Sequence, residues 1–161
     1  MNGYEDGSAG FRMEEKMIAI GSDHGGFEMK EQIIGFLAQK GIEYKDLGCY
    51  SKDSVDYPSY GHAVAKAVAS GECEKGIVVC TTGIGISIAA NKVPGIRCAL
   101  CSETLSAKIT RLHNDANVLA MGAGIVGPTL ALGIVDAFLA TSFSGEDRHA
   151  RRIALIEKEN N

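Results

Sequence analysis

The stretch "GIVVCTTGIGIS", residues 76–87, joins an apolar run to a loop that contains two glycines. The run is almost wholly apolar, as expected of a strand that is covered on both faces in a parallel sheet. We therefore predict a strand over 75–80 and a short helix after the loop. Cys80 closes the strand, so it is either a small core residue or a reactive thiol held beside backbone N–H groups.

The sequence on both sides of this stretch alternates between strand and helix patterns. Short apolar runs predict five strands, over 17–22, 42–48, 75–80, 96–101 and 116–122. Between them lie amphipathic helical patterns, one of which has Ser102 as its expected N-cap. The alternation predicts a single-domain α/β fold, a three-layer α/β/α sandwich with a five-stranded parallel sheet of the Rossmann-like kind. We place this domain at 17–161, after a loose extension over 1–16.

Composition excludes several classes of protein. The 161 residues carry a net charge of −4, so no global basic field indicates a nucleic acid or an anionic membrane as partner. No apolar stretch approaches the ~20 residues that span a bilayer. Five cysteines argue against a disulfide scaffold, and the C-x-x-C of Cys98 and Cys101 falls in a predicted strand, where the two side chains face opposite ways. We expect a reducing cytoplasm and no metal site.

The glycine loop can serve a chemical purpose. Glycines let the backbone approach a ligand, and the N–H groups from Gly83 to Ser87 would open a helix whose positive dipole end faces the site. The dinucleotide signature fails because Ile88 stands where the third glycine should be, and no Gly-Lys-Ser/Thr follows. A plain tight turn is therefore the alternative to an anion or oxyanion site.

Two further motifs combine charge with strand or helix ends. "GSDHGG" places Asp23 and His24 after the first strand, which suits either acid–base chemistry or a turn capped by the aspartate. "EDRHARR" puts Arg148 and Arg152 four residues apart on one helix face, where they would hold a phosphate or simply face solvent.

Five ordered segments together carry a resemblance to a known family. They are "IAIGSDHGGFEMKE", "VDYP", "GIVVCTTGIGISIAANKVPGIR", "CSETLSAKITRLHNDANVLAMG" and "DRHARR", and they cover about residues 17–158. The chain resembles the B-type ribose-5-phosphate isomerases, a family that also includes allose-6-phosphate and galactose-6-phosphate isomerases. The resemblance implies a cofactor-free and metal-free isomerase of ribose 5-phosphate and ribulose 5-phosphate in the pentose phosphate pathway. It also implies a homodimer or a dimer of dimers, with the site near the subunit interface.

The resemblance assigns roles to individual residues. Cys80 would be the base that moves a proton between C2 and C1 through an enediol(ate). Opening of the furanose ring would be assisted by Asp23, Thr82 and His113. Backbone contacts to the sugar oxygen would come from Gly83, Gly85, Ile86 and Ser87. The phosphate would be held by His24, Arg148 and Arg152 with His149, and the sugar would be lined by Tyr57 and Asn114.

Two positions depart from the family pattern. Members often have glycine after the cysteine, so Thr81 is expected to be strained if the position needs a positive φ. Many members also have a basic residue where Gly124 stands, so phosphate binding is expected to depend on Arg148 and Arg152. An isomerase of a hexose 6-phosphate and a non-catalytic sugar-phosphate-binding module are the alternatives, although pure binding does not require a thiol.

Overall fold

Five parallel strands form the middle layer of the fold in this computed structural model, which describes residues 17–159. In chain order they are β1 (Ile18–Ser22), β2 (Tyr44–Asp46), β3 (Lys75–Cys80), β4 (Cys98–Leu100) and β5 (Val118–Gly122). Their order across the sheet is β2-β1-β3-β5-β4. Every residue of β1, β3 and β5 is buried because helices cover both faces. The predicted fold class is confirmed, whereas the predicted extension over 1–16 lies outside the described residues.

Helices cover the two faces of the sheet unequally. One face packs against α1 (Phe27–Gln39), α4 (Thr104–Asn114) and α5 (Pro128–Ala140), and the other against α2 (Tyr57–Ala69) and α3 (Ile84–Asn91). Successive side chains of a strand point to opposite faces, so each strand contributes to both cores. In β3, Ile77 and Val79 lie in the first core, and Val78 and Cys80 lie in the second. The last helix, α6 (Asp147–Lys158), packs against α4.

The helix boundaries follow from local capping. The predicted cap of α4 at Ser102 is wrong, because the Glu103 carboxylate accepts the Ser106 N–H at 2.9 Å and caps the helix instead. This bond and the adjacent helix backbone hold the pKa of Glu103 below its usual value. A carboxylate at this position also complements the positive end of the helix dipole.

The order of the strands brings three turns together. Because β1, β3 and β5 are neighbours, the turns that follow them meet at the carboxyl edge of the sheet. Hydrogen bonds join these turns: the Asp23 N–H donates to Val79 O at 3.3 Å and the Gly124 N–H donates to Thr81 O at 2.8 Å. Each connecting helix runs back to the other edge before the next strand begins, so α4 ends at the amino edge. No helix within residues 17–159 combines the length and the apolar character that crossing a membrane requires.

Candidate active site

The glycine loop between β3 and α3 depends on Gly83. This residue caps α3 with φ +76°, in the left-handed region that glycine favours. A Cβ placed on it would lie 2.6 Å from the Met121 carbonyl carbon of the neighbouring strand, so a larger residue would collide with backbone. The turn therefore pins the start of α3 directly against β5.

Cys80 is both a core residue and a thiol that lies beside backbone N–H groups. Its side chain is 5% exposed and packs in the core under α2 and α3, against residues such as Val64 and Ile86. Its sulfur also accepts the Gly83 N–H at 3.1 Å. The thiol is therefore both buried in the core and hydrogen-bonded to the glycine loop.

The N–H groups at the start of α3 are fewer than the sequence predicted. The Gly83 N–H is used by Cys80, the Ile84 N–H donates to Thr82 Oγ1 at 3.2 Å, and the Ser87 N–H donates to Gly83 O at 3.1 Å. Within residues 17–159, Gly85 and Ile86 keep N–H groups without an acceptor. The expected row from Gly83 to Ser87 is therefore wrong in extent, because helical hydrogen bonding already begins at Ser87.

Side chains from the turn after β1 and from the start of α2 lie around this loop. Tyr57 packs directly on Gly85, where an added Cβ would lie 2.6 Å from the Tyr57 ring. The His24 Nδ1 accepts the Val55 N–H at 3.1 Å, which orients the imidazole and leaves Nε2 as its other hydrogen-bonding atom. Asp23 is buried and forms the capped turn that the sequence allowed, its Oδ1 accepting the Gly26 N–H at 3.1 Å. We call Asp23, His24, Tyr57, Cys80 and Thr82, with the start of α3, the strand-end cluster.

The remaining predicted residues form a second group where α4 ends and α6 begins. The His113 and His149 rings stack with their centroids 4.2 Å apart and an interplanar angle of 15°. Desolvation lowers the pKa of His149, and the nearby His113 and Arg148 lower it further. Arg148 Nε also pairs with Glu146 at 2.9 Å. We call this group the imidazole–arginine cluster, comprising His113, Asn114, Arg148, His149 and Arg152.

The two clusters lie at opposite edges of the sheet in one chain. Val118 pairs with Gly76, and four residues later Gly122 pairs with Cys80. This offset is about 13 Å along the strands. His113 and Asn114 precede β5, so they lie near its beginning while Cys80 lies level with its end. A single chain therefore does not bring the imidazole–arginine cluster to the thiol.

The departures at 81 and 124 are linked in the structure. Among residues 17–159, Asp115 is the only non-glycine residue with a positive φ. The prediction of backbone strain at Thr81 is therefore wrong. The Thr81 backbone instead accepts the Gly124 N–H at 2.8 Å, which joins the turn after β3 to the turn after β5.

Sequence reasoning missed Lys30, whose side chain is fully buried. Its Nζ donates to both Asp46 carboxylate oxygens at 2.9 Å, and Asp46 also accepts the Gly48 N–H. Desolvation alone would lower the pKa of Lys30, but the hydrogen bonds that Lys30 donates to Asp46 and Glu31 hold that pKa above its usual value. Lys30 thus anchors the segment that leads from β2 toward Tyr57. A lysine among the apolar positions of α1 was the signal available in the sequence.

The other cysteines form neither a disulfide nor a metal site within residues 17–159. None of the five cysteines is paired. Burial raises the pKa of Cys98 to about 12 and that of Cys101 to about 11, so both stay protonated at neutral pH. Over residues 17–159, no three His, Cys, Asp or Glu side chains are grouped so that they could hold a metal ion.

Comparisons with known proteins identify the family of the chain. The family model described as Ribose/Galactose Isomerase matches residues 18–156. The chain is 50% identical over 141 residues to the ribose-5-phosphate isomerase B of Escherichia coli K12, covering 88% of this chain and 94% of that one. It superposes on the ribose-5-phosphate isomerase B of Clostridium thermocellum with a TM-score of 0.88 at 53% identity, covering 89% and 97% of the two chains. A Mycoplasma genitalium ribose-5-phosphate isomerase B with bound ribulose-5-phosphate matches with a TM-score of 0.85 at 38% identity, over 89% and 95%.

Proposed function

The chain belongs to the ribose/galactose isomerase family, and from that premise we propose that it interconverts ribose 5-phosphate and ribulose 5-phosphate. It is an isomerase, as its relatives are. One observation carries the proposal: the Cys80 sulfur accepts the Gly83 N–H at 3.1 Å at the head of a helix that still has unused donors. The relative from Mycoplasma genitalium, which holds ribulose-5-phosphate, supports the choice of substrate.

In the proposed reaction Cys80 acts as the base. Its thiolate takes the proton from C2 of the open aldose, and the electrons of the broken C–H bond form the C1=C2 double bond of an enediolate with negative charge on O1. A proton then passes from O2 to O1, the thiol returns its proton to C1, and C2 becomes the carbonyl carbon. A positioned base of this kind contributes on the order of 10²–10⁴ in rate.

The charge that develops on the sugar oxygen needs donors that the protein does not already use. The N–H groups of Gly85 and Ile86 meet that requirement, because they lie in the first turn of α3 without a partner within the described chain. Donors of this kind act where charge appears in the transition state. Asp23 and Thr82 lie beside this turn and are proposed to assist opening of the sugar ring.

We further propose that a second copy of the chain completes the site. His113, Asn114, Arg148 and Arg152 lie at the far edge of the sheet in one chain, yet the reaction needs a phosphate grip near Cys80. Apolar side chains beside the glycine loop are exposed, with Ile84 at 52%, Ile88 at 56% and Leu105 at 66%. An apolar surface of this kind fits contact with another protein chain. A homodimer would bury it and would bring the partner's copy of the imidazole–arginine cluster to the loop.

Other parts of the proposal concern cofactors and location. The proton moves between adjacent carbons, so the proposed reaction requires neither a metal ion nor an organic cofactor. The unpaired cysteines support a reducing cytoplasm as the location. A net charge of −4 supports a small anionic substrate held by local cations, with no nucleic acid partner.

A coupled assay with ribose 5-phosphate, allose 6-phosphate and galactose 6-phosphate tests the proposal. We expect wild type to turn over ribose 5-phosphate with the highest kcat/KM, and Cys80→Ala to lower kcat by about 10²–10⁴-fold while circular dichroism stays unchanged. Cys98→Ala is the matched control, because that thiol stays protonated, and it should keep wild-type kcat. Preference for a hexose phosphate would select the second substrate class, and binding without turnover would indicate a binding module.

A further inference from the structure

A cavity of about 320 Å³ opens beside the strand-end cluster, on the α1 and α5 side of the carboxyl edge. Its wall includes Gly25 from the turn after β1, Thr81 from the turn after β3 and Gly124 from the turn after β5. Gly25 follows His24 and Thr81 follows Cys80, so the cavity is lined by the chain neighbours of two residues that are proposed to act on the substrate.

Thr81 is held between two glycines that leave room for it. A Cβ added at Gly25 would lie 2.2 Å from the Thr81 hydroxyl oxygen, and one added at Gly124 would lie 3.2 Å from the Thr81 methyl carbon. The hydroxyl therefore faces the turn that carries His24, and the methyl group faces the turn after β5. Since both sides are close, rotation about the Thr81 side chain is restricted.

The cavity offers hydrogen bonds and no positive charge. Besides Thr81, its polar lining consists of Glu28 and Gln32, and no lysine, arginine or histidine lines it. Glu28 is paired with Lys52. Within residues 17–159 the Thr81 hydroxyl has no hydrogen-bond partner. A neutral hydroxyl of a sugar suits such a lining, because Thr81 and Gln32 offer uncharged hydrogen-bonding groups and no cationic side chain lines the cavity to hold a phosphate.

We infer that this cavity is a subsite for the hydroxyl-bearing part of the sugar phosphate, and that Thr81, fitted between Gly25 and Gly124, is its specificity-determining residue. The inference rests on the proposed function and deepens it. The hydroxyl of Thr81 donates to or accepts from a sugar hydroxyl, while the phosphate binds elsewhere, at the arginines.

The first test compares Thr81→Val, which keeps the shape and removes the hydroxyl, with Thr81→Ser, which keeps the hydroxyl. We expect Thr81→Val to raise KM for ribose 5-phosphate by about 3–10-fold, as loss of one hydrogen bond does, and Thr81→Ser to stay within about twofold of wild type. The inhibition constant of inorganic phosphate should not change in either variant. An unchanged KM in Thr81→Val, or a weakened inhibition by phosphate, would overturn the hydroxyl subsite.

The second test measures the fit between Thr81 and its glycine neighbours without any assay of activity. Gly25→Ala should lower the Tm, because the added Cβ meets Thr81, and Thr81→Gly should restore it in the double variant. We expect a loss of about 2–8 °C in the single variant and recovery of most of it in the double variant. Gly127→Ala is the control, because open space surrounds that position and its Tm should not depend on residue 81. Additive changes at 25 and 81 would show that Thr81 is not held there.

The outcomes separate this inference from the proposed function. Wild type without isomerase activity on any of the three sugar phosphates would end the proposed function. Calorimetric titration of wild type and Thr81→Val with ribose 5-phosphate then decides the inference by itself, since equal dissociation constants would refute it. Wild-type activity with an unchanged KM in Thr81→Val would refute the subsite alone.

Discussion

The strand-end cluster and the imidazole–arginine cluster are built in different ways. Around Cys80 the geometry comes from backbone: a buried strand end, a left-handed Gly83 and N–H groups at the head of α3. Around His113 it comes from side chains that meet where two helices end, with the arginines exposed. The first group holds its shape within one chain, whereas the second presents a cationic surface outward. A reactive thiol needs a precisely positioned and enclosed environment, whereas phosphate-binding side chains can be supplied by another molecule.

A small domain can thus provide both an enclosed thiol and phosphate-binding cations, in different parts of its surface. Carboxyl ends of neighbouring strands converge, so acid–base groups are easily assembled there. Helix α4 ends and helix α6 begins at the other edge, so we propose that their cations serve a neighbouring copy of the chain rather than their own strand ends.

The strongest test is complementation between subunits. Cys80→Ala and His113→Asn should each lose about 10²–10⁴-fold of kcat, because each removes a proposed proton-transfer group. When the two variants are coexpressed, half of the dimers are mixed, and each mixed dimer holds one intact site out of two. The mixture should therefore recover about a quarter of wild-type activity. Coexpression of Cys80→Ala with the double variant Cys80→Ala/His113→Asn is the control and should recover nothing. Failure of the first pair to recover would place both clusters in one chain's site.

The backbone origin of the strand-end cluster can be tested at Gly83. Gly83→Ala should cost about 2–4 kcal/mol in the free energy of unfolding, because it adds a positive-φ penalty and a collision with the backbone of β5. Gly95→Ala shares the positive φ but has open space around it, so it should cost only about 1–2 kcal/mol. Denaturant unfolding measures both values. Equal losses would show that contact with β5 does not fix the loop.

The phosphate grip of the second cluster can be tested at Arg152. Arg152→Gln should raise KM for ribose 5-phosphate by about 10-fold with little change in kcat, because the phosphate does not react. Arg151→Gln, on another face of α6, is the matched control and should keep the wild-type KM. A fall in kcat at constant KM would mean that Arg152 acts on the reacting carbons instead.

The smallest expected effect concerns the stacked imidazoles. Because the pKa of His149 is lowered in the folded state, the unfolded chain binds a proton first as the pH falls below about 6.5. Stability should therefore be full at pH 8 and decline as the pH falls through that value. His149→Phe should keep the stack and flatten this part of the Tm-against-pH curve, with His62→Phe as the control. An unchanged slope would show that His149 does not titrate in this way.

Prediction from sequence succeeded where one physical signal dominated. The strand over 75–80 was predicted with its observed boundaries, because an apolar run covered on both faces leaves little choice of register. Elsewhere the predictions were wrong where neighbouring groups compete for the same hydrogen bond. Ser102 and Glu103 are both able to cap α4, and the carboxylate is the one that reaches the Ser106 N–H. The number of unpaired N–H groups after Gly83 was predicted wrongly, because it depends on the residue at which helical hydrogen bonding begins.

The strand–helix alternation, the cysteine beside the glycine loop and the family resemblance can all be read along the chain. By contrast, the unstrained position of Thr81 between two glycines and the burial of Lys30 against Asp46 are visible only in the folded molecule. The same is true of the placement of His113 and Cys80 at opposite edges of one sheet. Periodicity and spacing act along the chain, whereas distances between strand ends and helix ends depend on how the strands are ordered and in which direction each helix returns.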